Sequence, residues 1–196
     1  MVTLRYPNGN VYKKKPDKKN ERKRGNIDRG NRGMSLEKDI EDTNTHYQIT
    51  GKAIFNKRPT PIQVLKVKDN QICSAYFQEP STVDFYGVYK GRYFDFEAKE
   101  TQSKTSFPLK NIHAHQVQHM KNILAHKGES FLICRFVKLD KTYFLDAKYV
   151  IEYWNGMLSG ERKSIPLDSF KENGIEIQFT YLAKVDYLPI IDRLYL

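Results

Sequence analysis

Tyr93-Phe94-Asp95-Phe96-Glu97-Ala98-Lys99 is the stretch that decides how this chain is read. Aromatic residues fit a pleated surface and the polar residues recur with a period of two, which predicts a strand. Alternate side chains of a strand share a face, so Asp95, Glu97 and Lys99 project together while Phe94, Phe96 and Ala98 turn to the other side. One face is then core and the other carries chemistry. Just upstream, Lys90-Gly91 signals a turn between a strand over 83–89 and one over 92–99. The hairpin brings Asp84 toward Glu97 if Gly87 bulges or bends the first strand.

Asp84, Asp95 and Glu97 crowded around Lys99 in a partly buried site require a neutralising partner, either protons or a divalent cation. Oxygen-only ligands select Mg²⁺ or Mn²⁺ over zinc. Mg²⁺ held by one or two carboxylates keeps positions for phosphate oxygens and suits in-line attack on a phosphodiester, with Lys99 placed to hold the attacking water or the charge that builds on phosphate. A solvated surface strand is the plain alternative. The additional acids and the apolar opposite face favour an active site.

At 196 residues the chain has single-domain length, enough to bury roughly 70% of its unfolded surface without staples. Cys73 and Cys134 form no CxxC pair, no secretory signal is apparent, and no apolar run approaches the roughly 18 residues of a membrane span. A soluble cytoplasmic, nucleoid-associated protein is expected. The net charge of +10 is uneven: residues 1–33 hold eleven Lys and Arg against Asp17, Glu21 and Asp28, a net of +8, which leaves +2 for the remainder. This predicts a polyanion-binding arm over 1–33, largely disordered when free, on a nearly neutral folded body over 34–196. Lys13, Lys14, Lys15, Lys18, Lys19, Arg22, Lys23 and Arg24 make its basic tract, with Arg29 and Arg32 beside the first helix.

Ser35 is a plausible N-cap for a helix to about residue 48, with Leu36, Ile40, Thr43 and Tyr47 inward and Gly51 as its stop. A short strand over 53–56 precedes Pro59 and Pro61. The runs 62–67 and 74–78 then read as a projecting hairpin carrying Lys66 and Lys68. Residues 104–109 read as a loop in which Lys104 could touch phosphate. A helix over 114–127 follows, with Val117, Met120 and Leu124 inward. His115 and His119 stand at i, i+4, but no Glu follows His115 and no third ligand is evident, so a zinc site is not expected and both histidines are read as facing DNA or solvent. Strands over 130–136 and 142–146, a helix over 147–158, a short helix over 166–173, a strand over 175–180 and an apolar tail over 186–196, for packing or dimer formation, complete the chain. Gly87 and Gly91 lack the Lys-Ser/Thr of a phosphate loop, so ATP hydrolysis is not expected.

The Asp84…Glu97-x-Lys99 spacing resembles the PD-(D/E)xK nuclease superfamily. Four longer words narrow it: Asn31-Arg32-Gly33-Met34-Ser35-Leu36-Glu37, Lys57-Arg58-Pro59-Thr60-Pro61-Ile62-Gln63, Gly91 to Thr101, and Lys104-Thr105-Ser106-Phe107-Pro108-Leu109. Together they resemble the RecU family of Holliday junction resolvases over nearly the whole chain. That resemblance implies an α/β fold of the restriction-endonuclease type, a central mixed β-sheet flanked by helices, with the 62–78 hairpin as a stalk entering the junction, here shorter than in the family. It implies a homodimeric, Mg²⁺-dependent endonuclease that nicks two opposed strands of a four-way DNA junction in recombination and repair, with a strand-exchange recombinase and a branch-migration motor as partners. By the same resemblance Thr82 and Gln116 join Asp84 and Glu97 at the metal, Glu37 lends a carboxylate from the first helix, and Asp95 is an auxiliary or orienting acid. Where family members carry Pro-Arg before an Asp-Tyr pair, this chain has Ala183-Lys184-Val185 before Asp186-Tyr187. A nuclease of the same fold acting on linear duplex, or a non-catalytic architectural DNA-binding protein, are the competing readings. Crowded acids speak against the second, because they repel phosphate.

Overall fold

The computed structural model describes residues 3–5, 35–78 and 82–196. The expected basic tract, from Lys13 to Arg24 with Arg29 and Arg32, lies outside the described residues. In chain order the first elements are β1 (Thr3–Arg5), α1 (Leu36–Ile49), β2 (Ile54–Lys57), β3 (Ile62–Lys68), β4 (Gln71–Phe77), β5 (Phe85–Tyr89) and β6 (Arg92–Thr101). Then come β7 (Ser106–Pro108), α2 (Ala114–Ala125), β8 (Glu129–Phe136), β9 (Lys141–Asp146), α3 (Ala147–Leu158), β10 (Ser164–Pro166), α4 (Leu167–Asn173), β11 (Ile175–Ile177) and α5 (Leu188–Tyr195).

The chain forms two compact units, one built on residues 59–78 with β1, the other on 35–58 and 82–196. In the smaller unit β3 and β4 make the expected hairpin. Asp69 and Asn70 close it with positive φ (50° and 56°), as a two-residue turn matched to strand twist demands. The register shifts on either side of Lys66, and both Lys66 and Lys68 are exposed. β1 pairs in parallel with β4, giving the order β1-β4-β3. Residues 3–5, expected to belong to a largely disordered arm, form a strand too short to show a periodicity in the sequence.

In the larger unit six strands run in the order β11-β9-β8-β6-β5-β2. β6 and β8 are parallel and every other neighbouring pair is antiparallel, so the sheet is mixed, flanked by helices as expected. α1 and the C-terminal segment with α5 cover one face. There Phe85, Phe96, Phe131 and Phe144 stack side by side across four strands, with centroids 5.0, 4.6 and 4.2 Å apart. Val117, Met120, Val150 and Phe170 of α2, α3 and α4 pack with Leu132, Cys134 and Leu145 on the other face. Leu188, Ile190 and Ile191 of the tail are buried in the first of these cores, so packing accounts for these three, while Leu194 and Leu196 stay exposed. Among the described residues no helix is long and apolar enough to cross a membrane.

Three local expectations are corrected. Gly87 does not bulge: β5 and β6 pair without interruption from Phe85↔Phe96 to Tyr89↔Arg92, and Lys90 (φ 46°) and Gly91 (φ 76°) form a two-residue turn. Gly87 sits opposite Phe55 of β2, where a Cβ would meet the Ile54 carbonyl oxygen at 2.3 Å, so glycine is needed for close strand approach. Within 104–109, Ser106–Pro108 is not loop but pairs with β10. The strand expected over 175–180 ends at Ile177.

Candidate active site

The unbroken β5–β6 register places Asp84, one step beyond Phe85↔Phe96, opposite Glu97. The two acids brace each other through backbone donors: Asp84 N–H donates to Glu97 Oε2 at 3.2 Å, and Ala98 N–H donates to Asp84 Oδ2 at 3.2 Å. Phe94, Phe96 and Ala98 are buried in the α1-side core, so Asp95, Glu97 and Lys99 turn toward α2 as the alternation predicts. From α2, Gln116 Nε2 donates to Glu97 Oε1 at 2.7 Å, and its Oε1 accepts from His113 N–H at 2.9 Å. Lys99 Nζ donates to Glu97 Oε1 and stands 3.9 Å from Asp84 Oδ2. Asp84, Glu97, Lys99 and Gln116 therefore meet at one point.

Glu97 is fully buried. Burial first, then the neighbouring Asp84 charge, push its carboxyl up to about 8, and Lys99 only partly offsets them. Burial acts to lower the Lys99 ammonium, but the charges of Glu97 and Asp84 outweigh it and raise it. A cationic lysine therefore leaves the paired acids under-neutralised, which is the condition a hard divalent cation relieves. Among the described residues no group of three or more His, Cys, Asp or Glu side chains is arranged to hold a metal. The donors brought together are the two carboxylates of Asp84 and Glu97, with no thiolate or imidazole beside them among the described residues, which fits a hard divalent cation that keeps several waters better than zinc.

Thr82 lies half-buried, two residues before Asp84. Glu37 does not touch the pair: its carboxylate binds Lys57 Nζ at 2.8 Å, which also holds Glu41 at 2.7 Å, though its charge is felt at Lys99. Ser35 caps α1 as expected, and Glu100 Oε1 accepts from Leu36 N–H at 2.8 Å, fixing the helix start to the residue after Lys99. Lys104 is exposed. Asp95 shares the face but not the cluster, because its Oδ2 lies 2.6 Å from His119 Nε2. His119 accordingly does not simply face DNA or solvent, while His115 stacks on His113 at 5.4 Å. Arg58, which no sequence pattern marks as a site residue, donates its backbone N–H to the Asp84 carbonyl oxygen at 2.8 Å.

A family model described as Recombination protein U, RecU, matches residues 31–193 of this chain. The chain is 44% identical over 199 residues to the Holliday junction resolvase RecU of Geobacillus kaustophilus, covering 99% of this chain and 98% of that protein. It is 44% identical over 205 residues to the Holliday junction resolvase RecU of Bacillus mycoides, with 99% of each covered. Among solved structures it is similar to Hjc of Archaeoglobus fulgidus, a Holliday junction resolvase, at 12% identity and a TM-score of 0.40, with 70% of this chain and 93% of that one covered. A likeness that slight carries no weight here.

Proposed function

This chain belongs to the RecU family, and from that premise we propose that it is a Holliday junction resolvase, a structure-specific endonuclease that uses Mg²⁺ to nick two opposed strands of a four-way DNA junction. The observation that carries the proposal is the meeting of Asp84, Glu97, Lys99 and Gln116 on one sheet face, with Glu97 fully buried. Asp84 and Glu97 would hold a divalent cation, with Thr82 and the Gln116 amide beside them, and the ion would supply Lewis acidity at phosphate and ease deprotonation of a water.

The protein's own contribution is preorganisation. Gln116 and the Asp84 N–H fix both oxygens of Glu97, so the carboxylate cannot turn away from its partner. Lys99, anchored beside both acids, aims a positive charge at the point where the phosphodiester gains negative charge during attack. No water or substrate has to reorganise these groups at the moment of reaction. Two opposed cuts require two such sites related by a two-fold axis, which supports a homodimer as the working form.

Glu97→Gln is the direct test. It keeps the shape and removes the charge, but its single oxygen can accept at one end only, so either the Asp84 N–H or the Gln116 and Lys99 donors lose their acceptor. Cutting of a synthetic junction should fall by about a thousandfold or more while junction affinity stays within about threefold. Equal loss of binding and cutting would show that Glu97 is structural and sink the catalytic assignment.

A further inference from the structure

A second polar rung lies two residues along the same sheet face from the catalytic one. Tyr86 pairs with Asp95 across β5 and β6, and His119 reaches it from α2, one turn beyond Gln116. Asp95 is fully buried; its Oδ2 lies 2.6 Å from His119 Nε2 and 3.9 Å from Arg58 Nη2. Arg58 is held on several sides. Its guanidinium lies 4.5 Å over the Tyr86 ring and donates from Nη2 to the Tyr93 hydroxyl at 2.8 Å, while its backbone N–H is tied to the Asp84 carbonyl.

The cluster is not sealed. Arg58 keeps 28% of its side chain exposed and His119 18%. Asp95 Oδ1 and Arg58 Nε are buried without a hydrogen-bond partner among the described residues, so the pairing is unfinished in a way that a purely stabilising ion pair would not tolerate cheaply. An arginine whose stem and one edge are already fixed can offer its remaining N–H groups to a phosphate at low entropic cost, and the planar fork suits that anion.

We propose that Arg58 grips a DNA backbone phosphate adjacent to the one that is cut, with Asp95 and His119 as positioning residues that hold its guanidinium in place. The proposal rests on the nuclease reading above. The tie from Arg58 to Asp84 makes the grip and the metal-binding acid parts of one rigid unit, so seating the neighbouring phosphate sets the scissile one.

The test uses the full-length protein and junctions in which single phosphates flanking the cut are replaced, one at a time, by uncharged methylphosphonates. Affinity and cutting rate are read for the unaltered protein, Arg58→Gln and His119→Gln, with thermal unfolding as the check on folding. For the unaltered protein one flanking position should lose roughly tenfold to a hundredfold, the worth of a charged hydrogen bond. Arg58→Gln should lose a similar factor on ordinary DNA and be indifferent to the neutral linkage at that position alone. His119→Gln should show a weaker version of the same pattern, and the double variant should be no worse than Arg58→Gln. A flat scan with unaltered protein overturns the proposal without any variant, and so does an Arg58→Gln protein that keeps the full interference pattern. Binding without any cutting would instead overturn the nuclease reading, and the affinity scan would still decide the phosphate contact.

Discussion

Glu97 sets the pH behaviour expected of this site. Its carboxyl, ordinarily near 4.5, is pushed up to about 8 by burial and by the Asp84 charge. Between these values the folded, metal-free protein binds a proton that the unfolded chain does not, so stability from this group is present at low pH and is lost as pH rises toward about 8. Chemical denaturation without divalent cation should therefore show higher stability near pH 5 than near pH 8 from this group, a difference that disappears in Glu97→Gln. The same proton competes with a cation. The Mg²⁺ concentration for half-maximal cutting should fall about tenfold per pH unit as pH rises toward about 8, then level off. A requirement that is flat from about pH 6 to about pH 9 would contradict the assignment of Glu97 as a ligand.

At the scale of elements, the β5–β6 hairpin shows what could be read in advance. A two-residue turn at Lys90-Gly91 fixes the register, and counting back from it puts Asp84 opposite Glu97 with no bulge needed. The shared face of Asp95, Glu97 and Lys99 was legible for the same reason, since strand alternation is a local property. Arg58 was not. Its partners lie on β5 and β6, and β2 joins β5 only after the β3–β4 hairpin has intervened, so nothing local announces the pairing of Lys57 with Phe85. His119 was visible as a residue, yet its partner Asp95 depends on how α2 packs over β6, which helical periodicity does not specify. Gly87 was noticed for the wrong reason. The turn register explains the site geometry, and the glycine serves the contact with Phe55. Gly87→Ala should thus destabilise the fold by about 3 kcal/mol in denaturant unfolding, since backbone as well as side chain blocks the added methyl. It should also impair cutting, because Arg58 at the end of β2 holds the Asp84 carbonyl. A Gly87→Ala protein with unchanged unfolding midpoint would mean that β2 sits farther from β5 than described.

Over the whole molecule the charge is divided between a basic N-terminal tract and an almost neutral remainder. DNA affinity is expected to come largely from the tract and chemistry from the sheet. Replacing Lys13, Lys14, Lys15, Lys18 and Lys19 by glutamine should reduce the slope of log affinity against log salt by up to about 4, with little dependence on DNA sequence. The cutting rate on bound junction should stay nearly constant, as judged by single-turnover assays at saturating protein. A slope that does not change would place the phosphate contacts elsewhere. The central claim, that a carboxylate-lysine site cuts branched DNA with Mg²⁺, is tested most directly by incubating an end-labelled four-way junction beside a matched linear duplex, with and without Mg²⁺. Paired nicks in two opposed strands of the junction alone, only with Mg²⁺, are the predicted result; equal cutting of the duplex, or tight binding with no cutting, would contradict it.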